Sequence, residues 1–233
     1  MVKSSDMLNI IAEKLRNQYE NTINHNKKDP LDELMFIICS IKRREKVYIA
    51  AFRRFKKVFP SYKKILDVSQ EELSEVLAPF GMQNQKALVI IEILKKITAR
   101  FGKPTLAPLK RMGDKDCEEF LLGLRGVGKK VARCVMLYSL NRKVFPVDSN
   151  CWRVGARLGW INWSFHNKTI TAKDMDLFQA VIPPDLRHDL HVGMVAHGRK
   201  ICTFSAPQCS QCVLRDYCQN HSEILAALVE SEG

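Results

Sequence analysis

Four cysteines near the C-terminal end of the chain have a spacing that suits metal binding. Cys202, Cys209, Cys212 and Cys218 lie within 17 residues of one another. In a reducing compartment such a group is typical of metal ligation rather than of disulfides. Four thiolates suit either a structural zinc ion or a [4Fe–4S] cluster. Zinc ribbons usually carry two C-x2-C pairs, whereas this segment has one.

A second candidate site is the glycine-containing segment 124–130, which reads Leu-Arg-Gly-Val-Gly-Lys-Lys. Gly126 and Gly128 let backbone N–H groups approach a phosphate closely. A helix is predicted to follow, and its N-terminus adds partial positive charge. Lys129 and Lys130 extend that positive site. The alternative is a tight turn between two helices that binds no ligand.

The balance of charge also favours an anionic partner. The chain has 37 Lys and Arg against 25 Asp and Glu, a net charge of +12, and its pI is about 9.4. Such an excess favours a polyanion, through phosphate contacts and counterion release. Charge alone does not distinguish DNA from RNA or from an acidic membrane. The chain has no apolar run long enough to span a bilayer and no secretory signal, so we expect a cytoplasmic protein, nucleoid-associated in a prokaryote.

The spacing of apolar residues predicts helices along the whole chain. Asp29 and Pro30 form a cap and first-turn proline at the start of one helix. Ser69 and Glu72 fit a capping box at the start of another. Alternating strand patterns of any length are missing. The sequence therefore predicts an all-α architecture.

The segment 124–132 resembles the hairpin of the helix-hairpin-helix (HhH-GPD) DNA glycosylase superfamily, in its endonuclease III-like branch. The resemblance implies that the hairpin grips the DNA backbone without reading sequence. It also implies that Lys130 is the catalytic nucleophile and that Asp148, 18 residues later in a Val-Asp-Ser element, is the catalytic aspartate. A lyase needs an amine that attacks the anomeric carbon and forms a Schiff base. Asp148 would stabilise positive charge on the sugar; the alternative is a plain helix N-cap.

The same resemblance bears on the cysteines and on two arginines. The spacing C-x6-C-x2-C-x5-C matches the cluster loop of endonuclease III-like enzymes, which favours a [4Fe–4S] cluster over zinc. The resemblance implies that the cluster is not catalytic and fixes the loop 202–218 close to DNA phosphates. Arg153, in the helix after Asp148, and Arg199, before the first cysteine, are predicted DNA-binding residues.

Two further segments are predicted to meet the DNA at the lesion. Residues 80–87 resemble the family's wedge loop, in which a side chain fills the gap left by a flipped nucleotide; Met82 and Gln83 are the candidates. The alternative is an interhelical turn with Met82 in the core. Endonuclease III-like enzymes usually carry S-A-Q-x-T where residues 40–44 read Ser-Ile-Lys-Arg-Arg. Lys42 thus replaces a glutamine, which predicts a substrate range that departs from oxidised pyrimidines.

We expect two helical domains with a DNA-binding cleft between them. One is a helical barrel over 23–142, with the hairpin at about 121–132. The other joins 1–22 to 143–233 and holds the cluster loop. The predicted function is base-excision repair of double-stranded DNA by a monomeric glycosylase with AP lyase activity, acting on modified pyrimidines and abasic sites. The alternatives are a monofunctional glycosylase, an AP-site-specific lyase, a 5-methylcytosine glycosylase and a non-catalytic lesion-binding protein. The third alternative rests on the segment 145–160, which also resembles plant 5-methylcytosine glycosylases.

Overall fold

The computed structural model describes residues 5–20, 25–161 and 169–220. Within these ranges the chain forms α-helices and short 3₁₀ helices and no strand. This confirms the predicted all-α architecture. The α-helices are α1 Ser5–Tyr19, α2 Pro30–Ser40, α3 Glu45–Val58, α4 Lys63–Leu66, α5 Gln70–Leu77, α6 Gln83–Phe101, α7 Asp114–Leu122, α8 Lys129–Leu140, α9 Ser149–Arg157, α10 Ala172–Val181 and α11 Arg187–Lys200.

The chain divides into two compact units. One is the central segment Asn24–Arg142, and the other joins Met1–Ile23 to Lys143–Gly233. The boundary predicted between residues 22 and 23 lies outside the described residues. No helix in the described part of the chain is both long and apolar enough to cross a membrane.

Local sequence signals set the helix starts in the central unit. The Asp29 side chain accepts hydrogen bonds from the backbone N–H groups of Leu31 and Asp32, as the predicted cap requires. Ser69 and Glu72 form the predicted capping box. Helix α2 packs against α8 and α3, and α5 packs against α6. Apolar side chains that face inward from α2, α6 and α8 fill the core of this unit.

The second unit is built around α11, which packs against α1 and α9. Its core joins residues from both ends of the chain. The largest fully buried side chains of this core are those of Ile11, Leu15, Phe145 and Phe178. The rings of Phe145 and Phe178 are stacked, with their centroids 5.3 Å apart. The N-terminal helix is therefore an integral part of the unit that carries the four-cysteine segment.

Candidate active site and cysteine site

The glycine-containing segment forms the predicted turn between two helices. Helix α7 ends at Leu122 and α8 begins at Lys129. Gly126 has φ +74°, in the left-handed region where a side chain is strained. Gly128 has an extended backbone, and the space that a Cβ would occupy there is open. Gly126 is thus required by the turn itself, whereas Gly128 leaves room for a ligand.

Lys129 and Lys130 are the first two residues of α8, and both side chains are half-buried. The residue before them, Gly128, provides no side chain to cap the helix. The first N–H groups of a helix have no acceptor within the helix, and its dipole disfavours cations at this end. An anion beside this turn would accept hydrogen bonds from the amides and would be attracted by the two ammonium groups.

A buried carboxyl group that the sequence analysis missed lies near Lys130. Glu33, on α2, is fully buried. Its Oε2 accepts a hydrogen bond of 2.6 Å from the backbone N–H of Lys27, and its Oε1 has no hydrogen-bond partner. Burial raises the pKa of Glu33 to about 7, against the opposing effects of Lys27 and Lys130. Its only sequence signal was an acidic residue inside an apolar helix.

Asp148 is the N-cap of α9. Its Oδ1 accepts a hydrogen bond of 2.8 Å from the backbone N–H of Cys151. Its Oδ2 accepts one of 3.0 Å from the side-chain amide of Asn150. The structure thus confirms the capping role, and the side chain stays partly exposed. A carboxylate held in this way has a fixed orientation at the start of the helix.

A hydrogen-bond network connects Asp148 to the cysteine segment. The amide of Asn150 donates to Asp148, and its oxygen accepts from Arg153 Nη2 at 2.9 Å. Arg153 also donates to the carbonyl oxygens of Gly198 and Cys202, each at 2.8 Å. Arg153 is only 7% exposed. The structure therefore gives Arg153 a positioning role in place of the DNA contact predicted from sequence, because its donors are used inside the protein.

The two loops predicted to meet the lesion are held together by another residue that sequence reasoning missed. Lys86 is buried, and its ammonium group donates to the carbonyl oxygens of Cys39, Ile41 and Phe80 at 2.9, 3.2 and 2.9 Å. Cys39 and Ile41 precede Lys42, and Phe80 is the first residue of the wedge loop. One ammonium group thus joins both loops. Burial lowers the pKa of Lys86.

Both loops have non-glycine residues in the left-handed region, Lys42 with φ 56° and Met82 with φ 53°. Such backbone is uncommon, and it persists where the surrounding structure fixes it. Met82 is 43% exposed. It therefore does not lie in the core, where the alternative interpretation of this segment placed it. Gln83 is the first residue of α6. Arg199 is exposed in the last turn of α11.

The sequence matches a known family over most of its length. The family model described as HhH-GPD superfamily base excision DNA repair protein matches residues 37–180. The chain belongs to this superfamily. Endonuclease III of Thermotoga maritima is 28% identical over 197 residues, which cover 84% of this chain and 85% of that protein. The predicted resemblance to the endonuclease III-like branch is confirmed.

Two further comparisons extend this result. The plant protein DEMETER of Arabidopsis thaliana, a transcriptional activator, is 28% identical over 179 residues; the match covers 71% of this chain but 9% of the much longer plant protein. A solved structure of a non-covalent endonuclease III–DNA complex has a TM-score of 0.79 and 19% sequence identity. The aligned region covers 96% of this chain and 99% of the chain in that structure. The helical fold is therefore that of endonuclease III.

The four cysteines of this HhH-GPD protein form no disulfide and have intermediate exposure in the second unit. The Cys202 sulfur accepts a hydrogen bond of 3.1 Å from Arg157 Nη1, and Cys212 lies 3.4 Å from His197 Nε2. Burial lowers the pKa of His197 to about 4, and its Nδ1 is 2.8 Å from the hydroxyl of Tyr19. Polar side chains thus contact the sulfurs of Cys202 and Cys212.

The four sulfurs are electrostatic neighbours. Burial, together with the charges of the other three cysteines, raises the pKa of Cys212 to about 11. In the described ranges no group of three or more His, Cys, Asp or Glu is placed to hold one metal ion. Four thiolates are donors that suit zinc and a [4Fe–4S] cluster alike, so the chemistry of this donor set fits the cluster expected from the spacing.

Proposed function

We propose that this protein is a DNA glycosylase with AP lyase activity that uses Lys130 as its nucleophile. The observation that carries the proposal is the position of Lys130. It is the second residue of α8, directly after a hairpin whose open glycine and helix start suit a phosphate. The hairpin would hold the backbone of double-stranded DNA, which places the amine beside the sugar of a flipped nucleotide.

The chemistry begins at the Lys130 amine. An ordinary lysine is only about 0.04% neutral at pH 7, so the site has to favour the neutral amine. The nitrogen lone pair attacks C1′ of the damaged nucleotide, and the bond from C1′ to the base breaks. The base leaves with the bond electrons and takes up a proton. The nitrogen then loses a proton, the C1′–O4′ bond breaks and O4′ takes up a proton, which opens the sugar ring and forms the Schiff base. Loss of a proton from C2′ of the Schiff base expels the 3′ phosphate, which breaks the C3′–O bond and nicks the strand.

Asp148 has a separate part in this proposal. Its carboxylate, oriented by Cys151 and Asn150, would stabilise the positive charge that develops on the sugar as the base leaves. Lys130 and Asp148 belong to different units of the chain. We propose that both act on the same nucleotide.

The cysteine segment is proposed to hold a [4Fe–4S] cluster through Cys202, Cys209, Cys212 and Cys218. When bound, the cluster would supply a covalent tie across the loop 202–218 rather than a reaction step. Arg199, at the end of α11, would be available to meet a DNA phosphate next to that loop.

The substrates are proposed to be modified pyrimidines and abasic sites. A second candidate activity, excision of 5-methylcytosine, rests on the resemblance of the segment 145–160 to plant 5-methylcytosine glycosylases. Position 42 carries a lysine on a left-handed backbone, and an exposed cation at this point can reach base edges or a phosphate. Wild type and Lys42→Gln would each be assayed on duplexes that contain thymine glycol, 5-methylcytosine or an abasic site. The duplex that each protein prefers would identify the substrate class.

Borohydride trapping tests the nucleophile. Wild-type protein is expected to form a covalent adduct with duplex DNA that contains an abasic site, because borohydride reduces the Schiff base. Lys130→Gln should abolish the adduct. The matched control is Lys129→Gln, which removes the neighbouring amine and should still be trapped. Trapping that survives Lys130→Gln, or is lost only in Lys129→Gln, would disprove the assignment of Lys130.

A further inference from the structure

Most of the excess positive charge lies in one short part of the chain. Residues 42–64 contain ten Lys and Arg and one acidic residue, Glu45, a net charge of +9 out of the +12 of the whole chain. These residues form α3, α4 and the loops before them. They belong to the same unit as the hairpin 123–130 but lie outside it. The hairpin therefore does not account for the charge of the protein.

Three of these cations share one face of α3. An α-helix turns about 100° per residue, which places Lys46, Arg53 and Lys57 within about 40° of one another around its axis. The three residues span about 16 Å along the axis. All three are exposed, whereas the buried residues of α3 are Ala51, Phe52 and Phe55 on the opposite face. We call Lys46, Arg53 and Lys57 the α3 cationic stripe.

The stripe does not stabilise the fold. In the described part of the chain no acidic side chain forms an ion pair with any of its members. Lys56, beside the stripe, differs, because it pairs with Asp32 at 2.8 Å. Arg53 and Lys57 are four residues apart and repel each other by a few tenths of a kcal/mol. Lys46 lies in the first helical turn, where the helix dipole disfavours a cation.

We propose that the α3 cationic stripe binds the sugar–phosphate backbone of duplex DNA beyond the part held by the hairpin; the proposal rests on the proposed function in DNA repair. A row of about 16 Å matches the rise of about five base pairs. The only residue between the cations on this face is Ala50, so the stripe lacks the aromatic anchors typical of protein interfaces. It also lacks the apolar face that membrane-surface helices insert.

The salt dependence of DNA binding tests the stripe. The triple variant Lys46→Gln, Arg53→Gln, Lys57→Gln is titrated with a duplex of about 30 base pairs that carries an abasic-site analogue, between about 50 and 200 mM salt. If three phosphate contacts are lost, the slope of log K against log salt should become shallower by about 2.7. The charge-conserving variant Lys46→Arg, Arg53→Lys, Lys57→Arg should keep the wild-type slope.

A matched control separates the stripe from net charge. The variant Arg100→Gln, Lys103→Gln, Lys173→Gln removes the same charge at exposed positions outside the stripe and should leave the slope unchanged. An unchanged slope in the stripe variant, or an equal loss in both triple variants, would overturn the proposal. If the triple variant does not fold, Arg53→Gln alone should make the slope of log K against log salt shallower by about 0.9. Failure of the proposed function would appear separately, as absence of borohydride trapping in the wild type.

Discussion

The buried carboxyl of Glu33 gives the protein a calculable dependence of stability on pH. Its folded-state pKa is about 7, raised from an ordinary value of 4.5 mainly by burial. Between these two pH values the unfolded chain has released the proton while the folded chain retains it. Stability therefore falls as pH rises through this window, by about 1.4 kcal/mol per pH unit and about 3 kcal/mol in total.

Glu33→Gln removes this titration. The amide oxygen can still accept the hydrogen bond from the Lys27 backbone N–H, while the cost of burying the amide is independent of pH. Urea unfolding of wild type and Glu33→Gln from pH 4.5 to 8 gives the difference in the free energy of unfolding at each pH. We expect that difference to move in favour of the variant by about 3 kcal/mol as pH rises. Glu75→Gln, which removes an exposed carboxylate, is the control for loss of one negative charge.

The same measurement tests whether Glu33 interacts with Lys130. The positive charge of Lys130 opposes the effect of burial on the pKa of Glu33. In a Lys130→Gln background the pKa of Glu33 should therefore rise, and the pH window of lost stability should extend upward. A difference between wild type and Glu33→Gln that stays constant from pH 4.5 to 8 would refute the burial argument. A window that does not move in the Lys130→Gln background would refute the coupling.

Two further substitutions test the turn and the loops. Gly126→Ala should lower the free energy of unfolding by about 1 to 2 kcal/mol, because φ +74° strains a side chain. Gly128→Ala should leave the free energy of unfolding nearly unchanged. It should weaken binding of abasic DNA, because its Cβ would occupy the open space beside the helix start. Lys86→Met should cost on the order of 3 kcal/mol in urea unfolding, because three carbonyl oxygens lose a buried donor. Equal effects of the two glycine variants, or a neutral Lys86→Met, would contradict these assignments.

The features that could be predicted from sequence are those set by residues close together in the chain. Asp29 caps α2 by accepting hydrogen bonds from the backbone of Leu31 and Asp32, and Ser69 with Glu72 caps α5 within one helical turn. The glycine-containing turn before Lys130 is equally local. Helical periodicity then gave the all-α architecture, because each helix buries one apolar face. The cysteine spacing likewise needs only one short segment.

The features that could not be predicted depend on contacts between distant segments. The ammonium of Lys86 bonds to the carbonyl of Cys39, which is 47 residues away. Arg153 is turned inward by the carbonyl of Cys202, 49 residues later in the chain. Nothing in the neighbouring sequence of either residue indicates which acceptors its side chain meets. Sequence therefore singled out Arg153 but assigned its donors to DNA, whereas the structure shows them bonded within the protein.

The hydrogen bonds of Asp148 show that its capping role and its proposed catalytic role cannot be separated by the usual single substitution. In Asp148→Asn the side-chain oxygen can still cap Cys151, but the new NH₂ group then faces the NH₂ group of Asn150. Asn150 cannot turn its amide round, because its oxygen accepts from Arg153. The single variant therefore loses both the charge and a hydrogen bond, at a cost of about 1 to 3 kcal/mol in stability.

Exchanging the two residues restores the network without restoring the charge at position 148. In Asp148→Asn, Asn150→Asp the new carboxylate at 150 accepts from both the amide at 148 and Arg153, so the hydrogen bonds from Asn150 to Asp148 and from Arg153 to Asn150 are both replaced. We expect the exchange to recover most of the free energy of unfolding lost in the single variant, while single-turnover base release stays at least a hundredfold below wild type, as for loss of an electrostatic stabiliser. If base release recovers together with stability, Asp148 is only a helix cap. If neither recovers, the network from Asn150 to Arg153 is not the one that holds the carboxylate.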